Sequence, residues 1–222
     1  MRYMLKTAEL FDLAHSLAGE YLAKTCYPYE ALAHISEWIV AIGERLPPSR
    51  YEKKGDGLWI ARTARLAPTV SITGPCIVGE EAELRHCAFV RGGALIGRGC
   101  VVGNSTELKN CILFDRAQVP HFNYVGDSIL GARSHFGAGV ITANVRADRK
   151  DVALHTPDGK IDTGRYKVGA MVGDGAEIGC GAVLAPGAVV GRESIVYPLS
   201  LVRGCVPSHA ILKSDKSIIK RE

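Results

Sequence analysis

Residues 60–102, IARTARLAPTVSITGPCIVGEEAELRHCAFVRGGALIGRGCVV, repeat with a period of six. A large aliphatic residue recurs at every sixth position, and a mostly small residue follows it four positions later. An α-helix needs a period near 3.6 and a half-buried strand a period of 2, so neither explains the pattern. A six-residue repeat is typical of a parallel β-helix, in which each repeat forms one side of a coil and stacked coils share a core. The sequence therefore predicts a mainly β fold.

The ladder of large residues extends well beyond this stretch. Its members are Ile60, Leu66, Ile72, Val78, Leu84, Val90, Ile96, Val102, Leu108 and Phe114, then Tyr124, Leu130, Phe136 and Thr142, and then Val172, Ile178, Leu184, Val190, Val196 and Val202. Cys76 and Cys100 occupy small positions of the ladder, where we expect buried packing residues. Phe114 and Tyr124 are ten residues apart where two repeats would take twelve, which predicts one shortened corner.

The sequence predicts several parts around this ladder. Residues 1–46 carry two apolar stripes at helical spacing and are expected to form a two-helix cap over one open end of the prism, with oligomerisation as the alternative role. Residues 47–58 are predicted as a linker and 59–206 as the β-helix. A hairpin insertion is predicted at 145–167, either solvated or closing over a phosphorylated ligand. Residues 207–222 are predicted as a polar tail.

Composition limits the function only broadly. The 222 residues carry a net charge of +4, and the seven cysteines contain no CxxC pair, which favours reduced thiols. No apolar run of eighteen residues occurs and the N-terminus carries acidic residues, so we expect a cytoplasmic protein that binds neither membrane nor nucleic acid. No Gly-rich phosphate loop followed by Lys or Arg precedes residue 50, which argues against nucleotidyl transfer by this chain.

The position directly after each large residue of the repeat usually carries a small residue, and two cationic residues are among the exceptions. Arg91 and Lys109 are eighteen residues apart, so on a three-sided coil they lie on one side in adjacent coils, about 5 Å apart at the backbone. Their repulsion would reach roughly 3 kcal/mol at an effective dielectric near 20. A bound anion would remove that penalty, whereas a solvated, splayed pair is the alternative. With one short corner, Tyr124 and Asn144 are expected on the same side, and His121 at the corner before Tyr124.

The segment HFNYVGD at 121–127, followed by FGAG at 136–139 and by Asn144, resembles a known family. It is similar to the H-L-[ST]-Y-x-G-D…G-A-G-T-x-x-x-N segment of glucosamine-1-phosphate N-acetyltransferase domains, the C-terminal half of bifunctional N-acetylglucosamine-1-phosphate uridyltransferases. Residues 144–150 and 164–170 are closer to archaeal-type sugar-1-phosphate nucleotidylyltransferases with an acetyltransferase tail. The resemblance implies a left-handed β-helix, nucleotide-sugar metabolism and a homotrimer that binds acetyl-CoA between subunits.

The resemblance also implies a role for each matching residue. It implies that His121 is the general base for a sugar amine attacking the acetyl-CoA thioester, a role that suits an imidazole with an unperturbed pKa near 6.5. The backbone amide of Ala138 would stabilise the oxyanion of the tetrahedral intermediate. The positions that match substrate contacts are Arg91, Lys109, Tyr124, His135, Asn144 and Lys150. The positions that match cofactor contacts are Ala138, Cys180 and Pro198, and no metal is expected.

Three functions remain open from the sequence. The first is N-acetylation of glucosamine 1-phosphate or galactosamine 1-phosphate; His135 replaces an Asn of better-known members and Val145 an aromatic residue, which leaves the sugar open. The second is a catalytically silent subunit or binding protein without the pyrophosphorylase domain. The third is a metal enzyme like the γ-class carbonic anhydrases, because His86 and His121 are 35 residues apart. No His follows His121 by about five residues, which argues against the third.

Overall fold

The computed structural model describes residues 5–156 and 158–221. The helical segments are α1 (Thr7–Leu10), a first 3-10 segment (Leu13–His15), α2 (Gly19–Leu22), a second 3-10 segment (Pro28–Ala33) and α3 (Ile35–Gly43). The strands are β1 (Tyr51–Lys53), β2 (Leu58–Ala61), β3 (Arg65–Leu66), β4 (Ser71–Ile72), β5 (Cys76–Val78), β6 (Glu83–Leu84), β7 (Phe89–Val90), β8 (Ala94–Ile96), β9 (Val101–Asn104), β10 (Glu107–Leu113), β11 (Gln118–His121), β12 (Tyr124–Leu130), β13 (His135–Phe136), β14 (Ile141–Thr142), β15 (Val152–Thr156), β16 (Gly159–Arg165), β17 (Met171–Val172), β18 (Glu177–Ile178), β19 (Val183–Leu184), β20 (Val189–Val190), β21 (Ile195–Val196), β22 (Leu201–Val202), β23 (Cys205–Val206), β24 (Ala210–Leu212) and β25 (Ile218–Lys220).

Most strands stack in three parallel ladders, which form the flat faces of a prism. Face A holds β2, β5, β8, the second halves of β10 and β12, β17, β20 and β23. Face B holds β3, β6, β9, β11, β13, β18, β21 and β24. Face C holds β4, β7, the first halves of β10 and β12, β14, β19 and β22. The predicted left-handed parallel β-helix is confirmed.

The interior of the prism is filled as the ladder predicts. Large aliphatic residues alternate with small ones, and both kinds are shielded from solvent. Cys76 and Cys100 are fully buried in small positions, and burial raises the pKa of each thiol to about 12. Their predicted packing role is confirmed.

The corner between faces C and A is shortened twice rather than once. The coils from Ile96 to Leu113 and from Leu113 to Leu130 contain seventeen residues each, because β10 and β12 run through this corner as single strands. The turn in each strand is made by one residue in the left-handed conformation, Asn110 and Asp127, both at φ 48°. Asn and Asp adopt this conformation more readily than most residues. Two polar side chains are thereby fixed at the same corner of adjacent coils.

Two residues of the predicted ladder consequently point outwards. Phe114 lies outside the prism against Phe11 of the N-terminal segment, with ring centroids 4.9 Å apart. Tyr124 is partly exposed, and Val125 fills the interior position beside it. The interior assignment of Phe114 and Tyr124 is therefore wrong, because the chain loses one residue at each shortened corner.

Face A is apolar on its outer side as well. Its outward residues, each at most 1% exposed, are Ile77, Leu95, Ile112, Ile129, Met171 and Val189. Helix α3 covers the upper part of this face, and Val152 and Leu154 of the β15–β16 hairpin pack over the lower part. The predicted cap over an open end is therefore wrong, since the cap lies along a side of the prism. Strands that are apolar on both sides require a cover on both.

The cap is also less helical than the two stripes predict. Its first half is divided into α1, the first 3-10 segment and α2, while Pro28 begins the second 3-10 segment ahead of α3. Asp12 begins the first 3-10 segment by accepting a hydrogen bond of 3.2 Å from Ala14 N. Within residues 5–156 and 158–221, every helix is too short or too polar to cross a bilayer.

A buried carboxylate ties this N-terminal segment to the prism. Asp174 is 1% exposed and accepts hydrogen bonds from Asp12 N (2.7 Å), Ala132 N (2.8 Å) and the Arg192 guanidinium (2.9 Å). The backbone N–H of Asp174 donates to Leu10 O at 3.2 Å. These bonds attach the end of α1 and the residues that follow it to the wall of the prism.

Antiparallel strands cover an edge at each end of the prism. Strand β1 lies within the predicted linker and pairs with β2, while β25 pairs with β24. The stack of coils continues to Leu212 rather than ending at residue 206, because β24 stacks on β21. The predicted linker and tail boundaries are corrected accordingly. Such pairing removes free strand edges that would otherwise invite association.

Candidate functional site

Face C contains the polar strip that the sequence predicts. Strand β10 places Glu107 and Lys109 outwards on this face, on either side of the interior residue Leu108. Arg91 occupies the position of Lys109 one coil above, and its N–H donates to Leu108 O at 2.9 Å. Tyr124 pairs with Glu107 one coil below. The structure thus brings Arg91, Lys109 and Tyr124 together on one face.

Each cation of this strip has a carboxylate partner. Arg91 Nη1 lies 2.7 Å from Glu107 Oε1, and Lys109 Nζ lies 3.2 Å from Asp127 Oδ2. The hydrogen bond that Arg91 donates to the Glu107 carboxylate raises the pKa of Arg91. The expected pair of uncompensated cations is therefore wrong, because the two carboxylates had been left out of the charge balance. An anion at this strip would be bound by the remaining N–H donors rather than by surplus charge.

Asp127 lies at the centre of the strip. Its side chain is 4% exposed and, besides Lys109, accepts hydrogen bonds from Asn110 Nδ2 (2.8 Å) and from Asn144 Nδ2. The Asn144 amide also lies 3.3 Å from Tyr124 Oη. Burial, together with the charge of Asp127, raises the pKa of Tyr124 and keeps the phenol protonated. Sequence reasoning missed Asp127 as a site residue, although it ends the HFNYVGD motif.

The remaining catalytic and cofactor candidates lie on the corner between faces B and C. Backbone hydrogen bonds of 2.8–3.0 Å stack successive coils there: Phe122 N to Asn104 O, Gly139 N to His121 O, Gly181 N to Ala138 O and Leu199 N to Cys180 O. One residue per coil occupies the same corner position, and we call this set the B–C column. From top to bottom it contains Pro68, His86, Asn104, His121, Ala138, Cys180 and Pro198. All four predicted catalytic and cofactor positions fall in this column.

His121 is exposed at the edge where face C begins. Its backbone is fixed by buried Asn123, whose Oδ1 accepts from His121 N (3.1 Å) and whose Nδ2 donates to Gly137 O (2.9 Å). No group in the described part of the chain hydrogen-bonds to the His121 ring. A general base is usually oriented by a further group. A single copy of this chain fixes the backbone of His121 and leaves the imidazole ring without a hydrogen-bond partner among the described residues.

His121 and the strip border the same face of the prism. Tyr124 follows His121 by three residues and pairs with Glu107, and Lys109 lies two residues further along that strand. At about 3.3 Å per residue, Lys109 is roughly 7 Å from the edge near His121. The strip therefore begins at the edge of face C that His121 borders.

His135 and Lys150 are not brought to the strip within one chain. His135 lies on face B, where its Nδ1 is 2.9 Å from Glu177 Oε2. Lys150 is exposed in the segment before β15, and its backbone N–H donates to Asp148 Oδ1 at 3.3 Å. Neither side chain hydrogen-bonds to a residue of the strip in the chain as described.

A groove of about 640 Å³ continues down face C below the strip. Val183 and Leu201 form its apolar floor, and its polar lining includes His155, Arg203 and the ion pair between Arg146 and Asp148. Ligand pockets are commonly of this size and mixed character. The groove offers room for the larger part of an extended ligand.

The described residues contain no group of three or more His, Cys, Asp or Glu side chains that could hold a metal ion. His86 and His121 lie in the same column with Asn104 between them. His86 instead bonds to Thr69, with Nδ1 2.7 Å from Oγ1.

Comparison with known proteins supports the resemblance seen in the sequence. Residues 72–156 match the family described as the GMPPB C-terminal domain. The bifunctional protein GlmU of Methanococcus maripaludis (strain C5) is 32% identical over 112 residues, which are 50% of this chain and 27% of that protein. The chain is similar in sequence to GlmU. The bifunctional sugar-1-phosphate nucleotidylyltransferase/acetyltransferase of Sulfurisphaera tokodaii is 31% identical over 91 residues, 41% of this chain and 23% of that protein.

The predicted resemblance is thereby confirmed, and the matched region is only a part of each relative. The chain spans about a quarter of the length of these GlmU-type proteins. Among solved structures, the GDP-perosamine N-acetyl transferase of Caulobacter crescentus aligns with a TM-score of 0.36 at 20% identity, over 73% of this chain and 56% of that one. The UDP-N-acetylglucosamine acyltransferase of Francisella novicida aligns with a TM-score of 0.42 at 12% identity, over 74% and 68%.

Proposed function

We propose that this chain is a CoA-dependent N-acetyltransferase that acts on an amino-sugar 1-phosphate, glucosamine or galactosamine 1-phosphate, in the cytoplasm where acetyl-CoA is available. The observation that carries the proposal is the B–C column, in which His121 lies directly above Ala138, with Cys180 and Pro198 below. These are the positions to which the resemblance assigns the base, the oxyanion donor and the cofactor contacts. The similarity to bifunctional nucleotidylyltransferase/acetyltransferases supports the reaction class.

In this proposal acetyl-CoA lies along the column with its thioester beside Ala138. His121 takes a proton from the sugar amine as the nitrogen attacks the thioester carbonyl. The Ala138 N–H has no acceptor within the described residues and donates to the oxyanion that forms. The C–N bond is made, the C–S bond breaks, and the CoA thiolate leaves with the proton held by His121.

The strip binds the acceptor in the same proposal. Donors of Arg91 and Lys109 that are not used by Glu107 and Asp127 contact the phosphate, because ammonium and guanidinium groups each carry several N–H bonds. The neutral phenol of Tyr124 and the Asn144 amide contact sugar hydroxyls. The predicted role of Lys150 requires its side chain to reach this ligand, and that of His135 requires a neighbouring copy of the chain.

We further propose that the chain forms a homotrimer. Exposed apolar side chains flank the B–C column, with Phe122 63%, Leu199 84% and Leu201 45% exposed, and patches of this kind commonly mark interfaces. Face A is covered by the chain's own cap and hairpin, so faces B and C are the ones free to pair. Native mass spectrometry tests this, and a monomer at micromolar concentration contradicts it.

The test of the function is amine-dependent release of CoA. Wild-type protein, His121→Ala and His86→Ala are incubated with acetyl-CoA and each amino-sugar 1-phosphate, with reactions lacking the amine as blanks for the protein's own exposed thiols. We expect His121→Ala to lose activity by about 10²- to 10⁴-fold. His86→Ala, two coils higher in the same column, should retain it. Absence of release by the wild type, or equal rates for His121→Ala, contradicts the proposal.

A catalytically silent binding subunit is the second candidate. One observation favours it: among the described residues of a single chain, the His121 ring has no hydrogen-bond partner to orient it. This candidate predicts that calorimetry detects binding of a sugar phosphate while no CoA is released. Turnover by the wild type eliminates it.

A further inference from the structure

The N-terminal cap lies against the strip as well as against face A. Its second 3-10 segment packs beside β12, and the Leu32 carbonyl accepts a hydrogen bond of 3.1 Å from Asn110 Nδ2. Ser36 of α3 lies beside the same corner, because a Cβ atom built on Gly93 would be 3.3 Å from Ser36 Oγ and 3.3 Å from Asn110 Cα. The cap therefore contacts the corner at which face C ends.

Asn110 connects the cap to the strip through a single amide group. Besides its bond to Leu32 O, Nδ2 donates to Asp127 Oδ1 at 2.8 Å. An amide nitrogen has two hydrogens, so both donors are used. The backbone of Asn110 is in the left-handed conformation at φ 48°, which fixes the direction of the side chain. The bridge is thus built from a constrained residue with no spare donor.

Asp127 connects Asn110 to Lys109 and Asn144, two of the residues proposed to bind the substrate. Without Asn110, the remaining side-chain donor to Oδ1 is Lys109, at 3.5 Å, while Oδ2 keeps its bonds to Lys109 and Asn144. The carboxylate would then be free to turn towards Lys109. That movement would draw the ammonium group away from a ligand and release the Asn144 amide that lies against Tyr124.

Building on the function proposed above, we propose that Asn110 is a positioning residue through which the N-terminal segment sets Asp127, and so Lys109 and Asn144, for binding of the sugar phosphate. The segment then acts as a part of the acceptor site in addition to covering face A. The effect is specific to the acceptor, because the B–C column lies at the opposite edge of face C and has no contact with this bridge.

Asn110→Gly tests the bridge, since glycine tolerates the left-handed conformation and removes both donors. The matched control is Arg116→Gly, which replaces an exposed residue at φ 60° on the corner between faces A and B. We expect Asn110→Gly to raise KM for the sugar phosphate about tenfold, the loss of roughly one hydrogen bond to a charged group. KM for acetyl-CoA should stay unchanged, and Arg116→Gly should change neither. If Asn110→Gly does not fold, Asn110→Ala removes the same donors without placing a charge beside Asp127.

Hydrogen exchange gives a readout that does not require turnover. In Asn110→Gly we expect faster exchange in peptides covering 28–34 and in the Gly169 amide, which donates to Asp127 O at 2.8 Å in the wild type. Absence of turnover in the wild type defeats the proposed function, and exchange then still tests the bridge. Unchanged exchange, or an unchanged KM for the sugar phosphate in an active variant, overturns this inference.

Discussion

At the scale of residues, the candidate site is a set of paired groups and one unpaired imidazole. Glu107 and Asp127 neutralise Arg91 and Lys109, so the proposed recognition of a sugar phosphate by the strip depends on the geometry of its donors rather than on excess charge. His121, by contrast, is exposed and has no partner for its ring in the described residues. In the proposed function, the strip binds the sugar phosphate and His121, at the edge of the same face, transfers the proton.

Cys180 provides a direct test of where CoA binds. It is an exposed thiol in the B–C column, whereas Cys26 is an exposed thiol in the cap. We expect CoA to protect Cys180 from alkylation and to leave Cys26 unprotected, as measured by mass spectrometry of peptides after a brief reaction with iodoacetamide. Equal labelling of Cys180 with and without saturating CoA would contradict binding along the column.

The resemblance indicates individual residues of the column but not the ion pairs. It implies separate roles for His121, Ala138 and Cys180, and the structure adds that they occupy the same corner of successive coils. The partners Glu107 and Asp127 depend on contacts between residues 16 and 18 positions apart. Predicting these contacts requires the two shortened corners at Asn110 and Asp127 to be located correctly, whereas the sequence pattern places a single short corner between them, after Phe114 and before Tyr124.

At the scale of elements, the cap lies where it does because face A is apolar on both sides. Runs such as CIV at Cys76–Val78 and ALI at Ala94–Ile96 contain the signal, since three consecutive apolar residues leave none for solvent. The ladder pattern considers only the inward positions and so overlooks it. The same reasoning explains the position of the β15–β16 hairpin, because its Val152 and Leu154 cover the lower part of face A.

Asp174→Ala tests the attachment of the cap. The substitution removes an acceptor shared by Asp12 N, Ala132 N and Arg192, and we expect a loss of roughly 3 kcal/mol in the free energy of unfolding. Exchange of amides in residues 7–15 should accelerate first. Asp162→Ala is the control, because Asp162 is an exposed partner of Lys160. Equal urea midpoints for the two variants would show that Asp174 does not anchor the segment.

At the scale of the whole molecule, several cysteine thiols are buried, and their ionisation makes the free energy of unfolding depend on pH. Burial raises the pKa of Cys76, Cys100 and Cys205 to about 12, and burial also raises the pKa of Cys111. In the unfolded chain these thiols ionise near 9, so between these values the folded state binds more protons than the unfolded state. Stability therefore falls as the pH rises.

We expect the urea midpoint to fall between about pH 8.5 and pH 10.5 for this reason. Cys76→Ala should reduce that dependence, because the variant has one fewer buried thiol to ionise on unfolding. Cys26→Ala, which removes an exposed thiol, should leave it unchanged. A midpoint that stays constant over this range would mean that the buried thiols do not contribute.

A crystal structure with CoA and glucosamine 1-phosphate would locate both proposed ligands at once. We expect the CoA sulfur beside Ala138, the phosphate against Arg91 and Lys109, and the amine nitrogen about 3 Å from a ring nitrogen of His121. CoA bound away from the B–C column in every copy, or an amine on the far side of the prism from His121, would contradict the proposed function.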